Sequence, residues 1–169
     1  MHFALLPLEA EDLADFKRDM QEAFRLGAAA EFPDDDEEVL PEEDIDRSLR
    51  AKGSTAWKAL VHGRMVGGAI VVIDEDGKTG HLDFLYVKPG VQSRGLGQRI
   101  WQAIEEKYPD VELWETVTPY FDKRNLHFYI NRCGFAAVEF YNPHHGDPNM
   151  PEAAGLDYMF RFEKKMKRG

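Results

Sequence analysis

The stretch His81-Leu82-Asp83-Phe84-Leu85-Tyr86-Val87-Lys88-Pro89-Gly90-Val91-Gln92-Ser93-Arg94-Gly95-Leu96-Gly97 decides how the chain is read. Its first part, His81–Val87, has the composition of a strand. Gly95–Tyr108 then carries Leu96, Ile100 and Ile104 on one helical face. A strand, a turn and a glycine-bearing helix start bring several unpaired N–H groups to one point. The helix dipole adds positive potential there, so a phosphate or pyrophosphate can sit on backbone amides without dedicated cationic side chains. Gly95 and Gly97 lack a Cβ and would let phosphate oxygens approach the backbone. Arg94 and Arg99 are either a positive rim to this site or plain surface charges.

Three phosphate-binding patterns compete. A P-loop ends in Gly-Lys-Ser/Thr, whereas Gly97 is followed by Gln98-Arg99. A dinucleotide fingerprint needs a third glycine where Ile100 stands, and belongs near the start of a βαβ unit. The wider pattern Leu85-x-Val87-x-Pro89-x-x-Gln92-x-x-Gly95-x-Gly97 resembles the acetyl-CoA-binding motif of the GNAT superfamily of N-acetyltransferases. That resemblance implies two splayed central strands, His81–Val87 and Val111–Thr116, with pantetheine between them along the backbone of Leu85 and Val87. It also implies a pyrophosphate on the loop and helix start, making Gln92, Ser93, Arg94, Gly95, Leu96, Gly97 and Gln98 cofactor-binding residues.

A second segment, Asn125-Leu126-His127-Phe128-Tyr129-Ile130-Asn131-Arg132-Cys133-Gly134-Phe135, is similar to the later helix of the same superfamily. There an asparagine lies near the cofactor and a tyrosine ahead of Gly-Phe protonates the leaving thiolate, roles the resemblance assigns to Asn125 and Tyr129. The spacing departs from the family pattern. Four residues, Ile130–Cys133, separate Tyr129 from Gly134 where three are usual, and the interval from Asn125 is short. The alternative for Tyr129 is a half-buried helix residue with its hydroxyl tied to backbone.

For the base, His81 stands where several family members place a glutamate that deprotonates the amine through water. A histidine can do that near neutral pH. Asp83, two residues on and on the same strand face, can orient it or replace it. Otherwise both mark the strand's solvent side. Backbone N–H groups on a bulged strand near Val87 would meet the developing oxyanion. Glu115, beside Trp114, is a candidate for the acceptor site.

Outward from this centre the chain reads as Phe3–Leu6 strand, Glu11–Leu26 helix, and a helix from Pro41 to about Ala51. Thr55–Val61 and Met65–Ile73 read as a hairpin around His62-Gly63-Arg64. After the central strand and helix come Val111–Thr116 (strand), Asp122–Asn131 (helix), Ala136–Tyr141 and Tyr158–Phe162 (strands). The order β-α-α-β-β-β-α-β-α-β-β predicts an α/β, or α+β layered, domain over residues 1–169. With the resemblance, the expected sheet is mixed, mostly antiparallel, and flanked by helices on both faces.

The remaining features are quieter. The lone Cys133 suits a small packing residue and a cytoplasmic location, and Trp57, Trp101 and Trp114 suit the core. His144, His145, Asp147 and Asn149 suggest a substrate-facing or flexible loop rather than a metal site, since no helical spacing or second cluster supports one. The net charge of −10 argues against nucleic acid and anionic membranes as partners. The acidic block Asp34–Glu38 and Glu42–Asp44 is a solvated loop or an attractor of cationic amines. The expected activity is acetyl transfer from acetyl-CoA, as donor substrate, to a small-molecule primary amine, with no metal. A homodimer stays open, as do a protein N-terminus or lysine as acceptor and a CoA-binding sensor without catalysis.

Overall fold

In the computed structural model β1 (Phe3–Pro7) leads through a short 3-10 turn into α1 (Leu13–Ala29), followed by α2 (Glu42–Arg50). Three strands follow, β2 (Ser54–Val61), β3 (Arg64–Ile73) and β4 (Thr79–Val87), and then α3 (Leu96–Lys107). β5 (Leu113–Pro119), α4 (Lys123–His127), β6 (Ala136–Tyr141) and β7 (Met159–Lys165) complete the order. The structure describes residues 2–29, 40–91, 95–120, 122–148 and 158–166. This is the element order that hydrophobic periodicity predicts. Most boundaries move by a residue or a few, and two of the differences have a physical reason. Val111 is apolar because it packs in the core beside a turn, its N–H bonded to the Tyr108 carbonyl, and β5 begins only at Leu113. The last predicted helix is α-helical only over Lys123–His127 and continues as a π-helical turn over Phe128–Arg132.

The seven strands form one sheet in the order β1-β2-β3-β4-β5-β7-β6. Every neighbouring pair is antiparallel except β4 with β5, which is parallel and pairs only Thr79–His81 with Leu113–Glu115. The fold is thus the mixed, mostly antiparallel sheet that was expected. Helices lie on both faces. On one, α3 and the π-helical turn bury Ile100, Trp101, Ile104 and Tyr129 against Trp114, Phe135 and Phe162. Gly80 makes room for this packing: a Cβ there would lie 2.5 Å from the Trp114 ring. On the other face α1 and α2 bury Phe16, Met20 and Ile45 against Ile70 and Tyr86. Lys17 of α1 clamps the two helices by reaching Glu42 and Asp46 of α2. Trp101 and Trp114 are core residues, edge to face at 5.1 Å. Trp57 is only partly buried, its indole N–H donating to the Tyr108 hydroxyl.

One irregularity in β4 shapes everything downstream. Leu82 lies opposite Val71 and Phe84 opposite Ile70, so Asp83 is an extra residue with no partner on β3. A bulge of this kind re-aims side chains. Leu82 packs on the α3 side, whereas Phe84 packs with α1 and α2, and Asp83 reaches Ser48 of α2. The bulge therefore falls at Asp83 and not near Val87, where the sequence reading put it.

Candidate active site

Pairing between β4 and β5 stops at His81 opposite Glu115. One rung further, the link is a side chain, with the Thr116 hydroxyl donating to the Leu82 carbonyl at 2.8 Å. Past that point no ladder joins the two strands. The Lys88 amide donates to the Val66 carbonyl, and Tyr86 and Phe84 lie opposite Gly68 and Ile70. Backbone groups alternate in direction along a strand. Lys88, Tyr86 and Phe84 therefore turn theirs toward β3, and Leu85 and Val87 turn theirs into the fork. The side chains of Leu85 and Val87 pack on the α3 core, so the fork has a polar backbone edge above an apolar floor.

At the open end of the fork α3 begins. Gly95 is its N-cap with φ 78°, a left-handed conformation that favours glycine. The first bond closed within the helix runs from the Arg99 amide to the Gly95 carbonyl, which leaves the amides of Leu96, Gly97 and Gln98 without an intrahelical acceptor. No acidic side chain sits in this first turn to oppose an anion. A Cβ at Gly95 would meet no atom within 4 Å. Gly97 is different: a Cβ there would lie 3.1 Å from the Phe128 ring, so its bareness serves the seat of the π-helical turn. The Gln98 side chain is turned to the Arg132 carbonyl, leaving only its backbone for the loop. Arg99 stacks on Phe3 at 4.6 Å and is engaged there. Gln92, Ser93 and Arg94 lie outside the described residues, as do the acidic residues 34–38 and Asn149.

The odd spacing around Tyr129 has a structural cause. A π-helical turn absorbs one residue more than an α-helix of the same rise, and Phe128–Arg132 is such a turn. Tyr129 is only 6% exposed, packed against Phe135 and Phe162, and its hydroxyl contacts that of Thr116 at the fork. Burial in this apolar cage pushes its pKa well above the ordinary tyrosine range. The hydroxyl thus meets a side chain on β5, not backbone. Asn125 stands one turn earlier, its amide nitrogen donating to Asp122 and to Thr118 of β5. Its visible role is to dock α4 on the splayed strand.

On the opposite face of the sheet, His81 Nδ1 lies 2.7 Å from Asp83 Oδ1, and Ser48 donates to Asp83 Oδ2 at 2.5 Å. The carboxylate only accepts, so Nδ1 carries the proton and Nε2 of the neutral ring keeps a free lone pair. Burial alone would lower the His81 pKa. The hydrogen bond to Asp83 and the charges of Asp83, Glu115 and Asp147 outweigh it, and the net shift is upward. Neither His81 nor Asp83 is a plain solvent-side residue, since their side chains are 36% and 23% exposed.

Glu115 is next to His81 across the strands and shares Arg161 with Glu139 and Glu163. Glu139 also takes a 2.6 Å bond from His145, which draws the loop after β6 over this face. These partners, His145 first and then Arg161 and Tyr141, hold the Glu139 carboxyl down at about 2. His145 thus serves an ion-pair network, the His144 amide donates to the Asn142 side chain, and no group of three potential metal ligands occurs among the described residues. Cys133 is buried and its thiol is pushed up to about 12 by burial, which suits a packing residue. Sequence reading missed Ser48, Thr116 and Arg161. Thr116 and Arg161 signalled only polarity within strand-like runs, and Ser48 was one polar residue of a charged helix. Their partners lie 34 or more residues away (Ser48–Asp83, Thr116–Leu82) or in strands whose register local sequence does not define.

Known proteins agree with this geometry. Residues 14–135 match the Acetyltransferase (GNAT) family. The uncharacterized protein YrkN of Bacillus subtilis (strain 168) is 43% identical over 166 residues, covering 93% of this chain and 90% of that protein. Among solved structures, the ribosomal-protein-S18-alanine N-acetyltransferase of Escherichia coli aligns with a TM-score of 0.72 at 15% identity, covering 99% of this chain and 96% of its own. A GNAT family acetyltransferase of Elizabethkingia anophelis, with acetyl-CoA bound, aligns at 0.69 and 14% identity, covering 97% and 98%. Together the forked strand pair, the family match and the full-length relative show that this chain belongs to the GNAT family of acetyltransferases.

Proposed function

We propose that the protein is an N-acetyltransferase that moves the acetyl group of acetyl-CoA directly to the primary amine of a small molecule. The observation that carries this reading is His81, held through Nδ1 by Asp83 and standing where β4 and β5 part, so that Nε2 is the nitrogen left for an acceptor. Support for the donor comes from the amides of Leu96, Gly97 and Gln98 at the mouth of the fork, and from the acetyl-CoA bound to the Elizabethkingia structure. In this reading Leu85 and Val87 pair with the pantetheine arm, and an N–H of this edge meets the developing oxyanion. His81 Nε2 takes a proton from the ammonium or, through water, from the attacking amine. The amine nitrogen bonds the carbonyl carbon and loses a proton, to His81 if the base is still neutral and otherwise to water. The carbon–sulfur bond breaks, Tyr129 on the other face protonates the departing thiolate, and water returns a proton to Tyr129. The products are an N-acetylamine and CoA thiol.

The acids Glu115, Glu139, Glu163, Asp83 and Asp147 outnumber Arg161, the cation that the three glutamates share among the described residues, and this favours a cationic acceptor. The π-helical turn also accounts for the Tyr129 spacing that had kept a non-catalytic sensor open. The test is thiol release from acetyl-CoA with a panel of amines, amino acids, polyamines and short peptides. Turnover with small amines is expected. Turnover with peptides alone would move the acceptor to proteins, and tight CoA binding without turnover on any acceptor would overturn catalysis.

A further inference from the structure

We propose that Ser48 of α2 is a positioning residue for the base, locking Asp83 so that Asp83 in turn holds His81 Nδ1 and leaves Nε2 facing the acceptor. The inference rests on His81 serving as the base. Three observations carry it. First, α2 buries two residues, Ile45 and Ser48, three apart on one face, and Ser48 is the polar one. Serine inside a helix commonly bonds its own backbone, yet this hydroxyl crosses to Asp83 at 2.5 Å. Second, Asp83 is the bulge residue of β4, aimed at α2 by a break in the ladder and free of any strand partner. Third, the two carboxylate oxygens are divided, Oδ2 to Ser48 and Oδ1 to His81, so that Ser48 fixes the plane in which Oδ1 meets the ring. The charged groups around His81 are Asp83 on its own strand, Glu115 from β5 and Asp147 from the segment after β6. Ser48 bonds Asp83 and Glu115 is held by Arg161, so a change at Ser48 acts first on Asp83.

The experiment is nitrogen NMR of the His81 imidazole in the full chain, its signal identified by loss in His81→Gln. The wild type should show neutral His81 with its proton on Nδ1. In Ser48→Ala the Nε2–H form should appear, and the titration midpoint should fall by roughly half a unit toward the ordinary histidine value near 6.5. Alanine suits a helix interior, and Ser48→Cys, a near-isosteric poor donor, gives a second route to the same loss should the first fold badly. Ser48→Thr restores the hydroxyl and should restore the wild-type tautomer. Acetyl transfer to the amine found in the panel should fall about tenfold in kcat in Ser48→Ala, with KM for acetyl-CoA unmoved. A single Nδ1–H tautomer in both Ser48→Ala and Ser48→Cys, whether the midpoint stays or rises, overturns the proposal, because Asp83 then holds His81 unaided. A mixed tautomer in Ser48→Ala alongside full turnover in His81→Gln overturns the base reading and the positioning role with it, while leaving the three-residue chain intact.

Discussion

The two sides of the fork treat their proton-transfer candidates in opposite ways. Tyr129 sits in an apolar cage where one hydroxyl, that of Thr116, is the polar contact. His81 sits among carboxylates, about a third exposed. Both pKa values are raised, but by opposed physics. Burial disfavours the phenolate and so raises tyrosine, whereas burial disfavours the imidazolium and would lower histidine had the acids around it not prevailed. The difference fits the proposed roles. A group kept protonated throughout the physiological range suits a donor, and a group that exchanges its proton above the usual histidine value suits an acceptor.

The largest effects should come from the histidine side. His81→Gln is expected to lower kcat about 100- to 10,000-fold, the usual contribution of a general base. Asp83→Asn should come close to it, because an amide can donate to Nδ1 and flip the ring so that Nε2 carries the proton. Rates near wild type in both variants would end the assignment. On the other side, Tyr129→Phe removes one hydroxyl and leaves the Thr116–Leu82 bond in place. It should cost about 100-fold in kcat and no more than about 1 kcal/mol in stability. A large loss of stability with kcat unchanged would make Tyr129 a packing residue alone.

A pH profile sharpens the same contrast. Only neutral His81 accepts a proton, so kcat/KM should rise with pH through a single limb lying above the ordinary value near 6.5. Tyr129, raised beyond the tyrosine range, should add no falling limb below about pH 10. Linkage runs the other way. A group whose folded pKa is raised stabilises the fold below its unfolded pKa, and that stabilisation fades as pH rises through the folded value. The pH range in which catalysis appears is thus the range in which His81 ceases to help hold the fold, and His81→Gln should flatten the stability slope there. A limb at or below 6.5 would mean that Glu115 and Asp147 do not act on the ring in solution.

The element order was legible because each element carries its own period: Leu96, Ile100 and Ile104 mark α3 whatever it packs against. The loop glycines and the His81–Asp83 pair were legible for the same reason, being local. What depends on register was not legible from the residues themselves, and the splay of the central strands was expected only through the family resemblance. That β4 and β5 pair for three residues and then diverge is decided by Trp114 filling the space beside Gly80 and by Thr116 reaching Leu82. Neither fact is written near the residues it governs. Ser48 looked like an ordinary helix serine because its partner lies 35 positions on, across a bulge that shifts the facing of Asp83. The shortened helix before Gly134 was visible as an extra residue, but only the structure shows the chain taking it up as a π turn that turns Tyr129 inward.

The smallest effects concern the two loop glycines, and they separate two causes the motif presents as one. At Gly95 a side chain has open space but the backbone is left-handed, so Gly95→Ala should cost about 1–2 kcal/mol through φ alone. At Gly97 the backbone is helical and the obstacle is the Phe128 ring at 3.1 Å, so Gly97→Ala should cost a similar 1–3 kcal/mol by overpacking. The two penalties should respond differently to trimming Phe128. In Phe128→Leu the Gly97→Ala penalty should shrink, giving a coupling of about 0.5 kcal/mol or more, while the Gly95→Ala penalty should stay additive. Denaturant unfolding of the four combinations measures this. Additivity at Gly97 would mean that its missing Cβ serves only the donor phosphate, in which case its cost should appear in CoA affinity and not in the stability of the free protein.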